Sequence, residues 1–172
     1  NVGDVVVAQD YLQHDMDASP IFERWHVPGY PQVRMACDAS LTEKLWTATR
    51  ETVARDSHEI DWTALGMEAN HAPQVHIGLI VSGDRFVCTA QECNALRNAL
   101  EAAQHQVLAV EMEGAAVAQV CTDYGIAFAA VRTISDRADD NAHLDFMQFV
   151  EKVASKYADH IVHSFLKALP RN

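Results

Sequence analysis

Hydrophobic and polar positions along this chain alternate in two rhythms. Short apolar runs at residues 4–8, 74–82, 107–112 and 126–134 have the length and β-branched content of strands. Two of them, Val107-Leu108-Ala109-Val110 and Ile126-Ala127-Phe128-Ala129-Ala130-Val131, contain no polar residue, the pattern of strands buried on both faces. Between the runs, apolar residues recur at helical spacing. Ser40-Leu41-Thr42-Glu43 reads as a capping box that opens a helix with Leu41, Leu45, Ala48 and Thr52 on one face. Residues 89–104 repeat the pattern with Cys93, Leu96 and Leu100, and residues 114–123 form an Ala-rich helix that stops near Gly125. The longest predicted helix spans about 145–169. Its stripe is Phe146, Phe149, Val150, Val153, Tyr157, Ile161, Phe165 and Leu169, with Pro170 just beyond its end.

Strand-then-helix alternation in the second half predicts an α/β domain, helices flanking a mostly parallel central sheet. Residues 20–31 break the rhythm. Pro20, Pro28, Pro31 and Gly29 mark a loop, and Phe22 and Trp25 within it have no evident core to join, so the loop is expected to pack on a partner subunit. The sequence contains no repeat and no linker, and 172 residues at 49% apolar composition suffice for one domain with a substantial core.

A net charge of −11 argues against nucleic acid or an anionic membrane surface as the main partner, because both reward clustered Lys and Arg. Cys37, Cys88, Cys93 and Cys121 form no C-x-x-C pair and read as reduced thiols of a cytoplasmic protein. No apolar stretch approaches the length of a membrane span.

Candidate chemistry gathers where strands end. A carboxylate inside an apolar run costs several kcal/mol unless something binds it, roughly the cost of burying an unpaired polar group. Ligands of open α/β sheets lie at the carboxyl ends of strands. Glu111-Met112-Glu113 closes one run, and Ser135-Asp136 closes another. If the strand persists, alternation brings Glu111 and Glu113 to one side, a pair suited to accepting hydrogen bonds from vicinal hydroxyls. The competing structural role for Glu113 is to cap the Ala-rich helix. Asp136 at a dry strand terminus is a candidate general acid, its alternative being a turn cap. Phe86, after the turn Ser82-Gly83-Asp84-Arg85, is either core or a stacking platform for a flat ring. Nine histidines, and the run His14-Asp15-Met16-Asp17, raise a metal reading, but no H-x-x-x-H or H-E-x-x-H spacing occurs, so no metal is expected.

Taken together these motifs resemble the nucleoside phosphorylase/nucleosidase superfamily, and within it the 5′-methylthioadenosine/S-adenosylhomocysteine nucleosidase branch. The resemblance rests on Val2-Gly3-Asp4-Val5-Val6-Val7, on Gly78 to Val87 with its S-G-D-x-F core, on Val110-Glu111-Met112-Glu113-Gly114-Ala115-Ala116, and on Ile134-Ser135-Asp136-Arg137-Ala138-Asp139. His143-Leu144-x-Phe146 adds to it. The resemblance covers nearly the whole chain, with residues 56–73 a longer stretch than expected.

The resemblance implies a three-layer α/β/α fold and a reaction without metal or cofactor. Asp136 would protonate N7 of the adenine, with Ser135 positioning it. Phe86 would stack on the purine and the Val87 backbone would read its edge. Glu113 and the Met112 backbone would hold the ribose hydroxyls, Arg132 would lie near the attacking water, and Phe146 would cover the sugar. Phe22 and Pro28 match positions that reach the neighbouring subunit's pocket in a homodimer. Family members carry further strands, a glycine-rich turn and a water-activating glutamate ahead of the segment matching Val2-Gly3-Asp4. Residues 1–172 are therefore expected to be roughly the carboxyl-terminal two-thirds of one such domain. A phosphate-dependent purine nucleoside phosphorylase and a non-catalytic nucleoside-binding or storage relative remain the alternatives.

Overall fold

Among the described residues, the strand β1 (Val5–Gln13) is the hub of a five-stranded sheet. In this computed structural model, which describes residues 1–65, 67–135, 149, 153 and 155–170, β1 pairs in parallel with β3 (Val75–Ser82), and β3 with β4 (Val107–Glu111). The other edge of β1 is shared by two short antiparallel strands. β2 (Met35–Ala36) sits opposite Asp10 and Tyr11, and β5 (Val131–Thr133) opposite Val5 to Val7. The long ladders are parallel and the short ones antiparallel, so the sheet is mixed but mostly parallel, as the pattern predicts.

Helices α1 (Ala39–Asp56), α2 (Ala90–Ala102), α3 (Gly114–Asp123) and α4 (Ser155–Ala168) flank this sheet. Alternation along β1 sends Val5 and Val7 to one face, where they pack with Leu45 and Val53 of α1 and with Phe149, Val153, Tyr157 and Ile161. These last four are spaced by four residues and almost wholly buried, which bears out this part of the predicted stripe; Phe165 and Leu169 are half-buried, and Phe146 and Val150 lie outside the described residues. Val6 and Ala8 go to the other face with Ile80, Ala115 and Ala118 of α3.

Four expectations need correction. First, β1 runs on past Ala8 to Gln13. A bulge at Gln9 shifts the register with β3, so Tyr11 rather than Asp10 joins Ala8 on the α3 face, and the polar pair Gln9-Asp10 hides the strand from a pattern reading. Second, α1 is capped by Asp38, whose Oδ1 accepts from the Leu41 amide at 2.8 Å, not by Ser40. Third, the last strand is only Val131–Thr133, and Ile126 is exposed. Leu108 of β4 is exposed too, so neither run is buried on both faces. Fourth, Trp25 is 4% exposed and packs with Leu12, Leu79, Val81 and Leu100, so this aromatic of the 20–31 loop has a core within its own chain.

The predicted boundaries of α2 and α3 hold closely. Thr89 Oγ1 accepts from the Glu92 amide at 3.2 Å, and α3 ends before Gly125, whose φ of +63° reverses the chain. Residues 57–65 add two short 3₁₀ turns. Trp62 in the second is buried in the same cluster as Val2 and Val5, with its indole N–H donating to the Ser57 carbonyl at 2.8 Å. Among the described residues no helix is long and apolar enough to cross a membrane.

Candidate active site

Helix α3 begins with backbone amides that no preceding turn can satisfy. The last residue of β4 supplies their acceptor. Glu111, 9% exposed, takes the Gly114 amide at 2.9 Å on Oε1 and at 3.1 Å on Oε2, and the Glu113 amide at 3.2 Å on Oε2. Ser82, the last residue of β3, donates its hydroxyl to Glu111 Oε1 and accepts the Ala115 amide at 2.7 Å. An anion at a helix amino terminus is favoured by the aligned peptide dipoles, which makes a buried carboxylate tolerable here.

Arg132 of β5 reaches the same place. Its Nη2 lies 3.1 Å from Glu111 Oε2 and 2.5 Å from Glu113 Oε2. Glu113 shares Arg132 with Glu111 but differs from it in burial and in its contacts with α3. Its side chain is 66% exposed and makes no cap hydrogen bond to α3. The helix-capping role considered for Glu113 thus belongs to Glu111, two residues earlier. The strand also ends at Glu111, so strand alternation does not align the two carboxylates; the shared guanidinium brings them together.

Around this cluster opens a cleft of about 1080 Å³. Phe86 and Val87 line it from the loop after β3, Met112 and Glu113 from the β4–α3 junction, and Arg132 and Ser135 from the end of β5. Phe86 and Met112 are each 39% exposed, offering apolar surface, whereas Val87 is buried. Ser135 is half-buried. Asp136 follows it directly in sequence but, with Asp139, Asp140, His143, Phe146 and Val150, lies outside the described residues.

The loop carrying Phe86 is fixed by the turn after β1. The His14 amide donates to the Ser82 carbonyl at 2.8 Å, and Asp15 Oδ2 accepts the Asp84 amide at 2.7 Å. The His14 ring presses on Gly83 so closely that a Cβ there would overlap it. His14 Nε2 is buried without a hydrogen-bond partner among the described residues, and burial lowers its pKa. The His14-Asp15 pair that suggested a metal is therefore a brace for this loop; among the described residues no group of three His, Cys, Asp or Glu side chains is placed to hold a metal ion.

Phe22 and Pro28 are exposed and do not line the cleft. Phe22 packs against the His26 ring at 5.3 Å between centroids, and the loop is tied down by Tyr30, whose hydroxyl reaches the Asp123 carboxylate at 3.0 Å. Sequence reasoning weighed His14 only as a metal ligand and Ser82 only as part of a turn, and it missed the anchoring role of Glu111. The available signal for Glu111 was an acid one residue before the turn into an Ala-rich helix.

An α/β sheet whose strand ends deliver an acid–arginine–acid cluster beside an aromatic residue defines the class of small-ligand α/β enzymes and binding proteins. Comparison with known proteins makes this specific. The model of the Phosphorylase superfamily matches residues 1–167, and the chain belongs to that superfamily. It is 34% identical over 165 residues to a 5′-methylthioadenosine/S-adenosylhomocysteine nucleosidase of Bacillus cereus, a match that covers 94% of this chain and 61% of that protein. The chain thus spans about three-fifths of the length of the curated relatives it matches. Among solved structures it superposes on the nucleosidase of Neisseria meningitidis in complex with methylthio-immucillin-A, with a TM-score of 0.79 and 32% identity. That match covers 98% of this chain and 63% of the other. The S-adenosylhomocysteine nucleosidase of Streptococcus pyogenes gives a TM-score of 0.76 at 31% identity, over 99% and 62% of the two chains.

Proposed function

We propose that this protein hydrolyses the N-glycosidic bond of 5′-methylthioadenosine and S-adenosylhomocysteine, releasing adenine. The observation that carries the reading is the division of labour between two acids two residues apart. Glu111 meets the structural needs of α3, which leaves Glu113 exposed in the cleft beside Arg132. A carboxylate so placed suits the two hydroxyls of a ribose, each donating to one oxygen. Similarity to nucleosidases along nearly the whole chain supports the same reading.

In this mechanism Phe86 stacks on the purine, the Val87 backbone meets its edge, and Met112 and Glu113 hold the sugar. Arg132 adjoins the attacking water, Ser135 positions Asp136, and Phe146 covers the sugar. Asp136 gives its proton to the purine, so that the base leaves neutral while positive charge grows on the sugar, near the carboxylate of Glu113. Residues 1–172 belong to one domain. The active species is a cytoplasmic homodimer acting in methionine salvage, in which Phe22 and Pro28 reach the partner's pocket. Reduced thiols fit that location: the four cysteines are free, and burial pushes the Cys37 thiol up to about 12.

Product analysis tests the reading. The intact protein, given methylthioadenosine, is expected to release adenine and methylthioribose at a rate independent of phosphate. Asp136→Asn is expected to slow release by ~10²-fold or more, the scale of general acid catalysis. A strict phosphate requirement with a sugar 1-phosphate product would instead establish the phosphorylase, and binding without turnover would establish the storage protein.

A further inference from the structure

Glu113 and Arg132 are both substantially exposed, with side-chain exposures of 66% and 44%. Two long exposed side chains paired only with each other sample many rotamers and hold no fixed geometry. Here the pair is moored to a third group. Glu111, with a side-chain exposure of 6%, fixes Arg132 from below through Oε2 and is itself held by Ser82 and by the Gly114 and Glu113 amides. Its backbone carbonyl also accepts the Gly83 amide at 3.2 Å, at the root of the loop that carries Phe86. One buried side chain therefore ties the amino terminus of α3, the β3 end and the cleft arginine together.

We propose that Glu111 is a positioning residue for sugar recognition: by anchoring Arg132 it fixes the orientation of the Glu113 carboxylate toward the ribose. This rests on the nucleosidase reading of the same cleft. The spacing explains why two acids are needed. Glu113 must stay at the cleft surface to meet a ligand, so its own rigidity has to come from a neighbour that is not exposed. A lone Arg132–Glu113 pair would let the guanidinium follow Glu113 instead of directing it.

Glu111→Gln separates these roles. The amide oxygen, in the place of Oε1, still accepts from Ser82 and Gly114, while the amide nitrogen, in the place of Oε2, faces Arg132 and the long Glu113 amide contact as donor against donor. KM for methylthioadenosine is expected to rise about tenfold, the scale of one charge-assisted hydrogen bond, with the affinity for free adenine within about twofold of wild type. Asp56→Asn, which weakens the Asp56–His160 contact between α1 and α4 and alters no residue that lines the cleft, controls for lost stability. It is expected to lower the melting temperature with KM unchanged. Where Glu111→Gln does not fold, Arg132→Gln carries the test, because Glu111 acts through Arg132 and the same riboside-selective loss is expected; where both fold, the double variant is no worse than Arg132→Gln alone.

Equal losses for riboside and adenine in Glu111→Gln, or an unchanged KM in Arg132→Gln, overturn the proposal. If wild type cleaves methylthioadenosine and Glu111→Gln loses only melting temperature, Glu111 is a helix cap alone and the nucleosidase reading stands. If wild type releases no adenine, that reading falls and this proposal with it.

Discussion

The ring of Tyr11 lies against Gly114 at such close range that a Cβ on Gly114 would overlap its edge and hydroxyl. The bulge at Gln9 turns Tyr11 toward α3, and the first residue of α3 must lack a side chain to meet it. Gly114→Ala is therefore expected to destabilise the protein and displace the amide that Glu111 holds. With Tyr11→Ala in the background the sign reverses. The overlap is gone and Ala exceeds Gly in helix propensity by up to ~1 kcal/mol, so Gly114→Ala becomes neutral or stabilising. Urea melts of the four proteins check this, and equal costs in both backgrounds would show that the two residues do not meet.

The loop at 20–31 has a buried part at Trp25 and an exposed part at Phe22. Trp25 is buried, so Trp25→Asp is expected to cost several kcal/mol, as an unpaired buried charge does, and to prevent cooperative folding. Phe22 is exposed at the loop surface, so Phe22→Ala is expected to keep the melting temperature within about 2 °C, as surface substitutions do, and to raise KM for 5′-alkylthio substrates. Sedimentation run beside the kinetics decides the partner's role: a protein that is monomeric while kinetically intact would exclude a pocket completed by a second subunit.

His14 gives the pH dependence its sign. Burial lowers its pKa, with neighbouring Asp15 and Glu111 opposing and Arg85 adding to the shift. The unfolded chain then binds a proton that the folded one resists, so stability is full above the ordinary value of 6.5 and falls as pH drops through it toward the depressed one. Wild type is expected to lose more stability than His14→Gln between about pH 7 and pH 5, the window around an ordinary histidine. Parallel curves for the two proteins would place that loss elsewhere.

What the sequence conveyed depended on how local each cause was. The bounds of α2 and α3 were legible because Thr89 and Gly125 mark them chemically, and the apolar stripe of the last helix was legible from its period. β1 was half legible, since a bulge leaves no periodic trace. Asp38 and Ser40 are both good caps, and only backbone geometry selects Asp38. Trp25 is adjacent to prolines and glycine yet folds inward, at a φ of +70°, onto residues far away in sequence. In the site, the cleft position of Glu113 followed from a strand end and that of Arg132 from the family resemblance, but the anchoring work of Glu111 depends on Ser82 and Arg132, which sequence proximity does not reveal.

The central claim is that Glu113 binds sugar hydroxyls and is not a structural acid. Calorimetric titration of Glu113→Gln, with a non-hydrolysable adenine riboside and with free adenine, tests it most directly. Loss of a charge-assisted contact of ~1.5–3 kcal/mol is expected to weaken the riboside by about 10- to 100-fold while adenine affinity stays within about twofold. Equal weakening of both ligands, or a riboside affinity unchanged from wild type, would contradict the account.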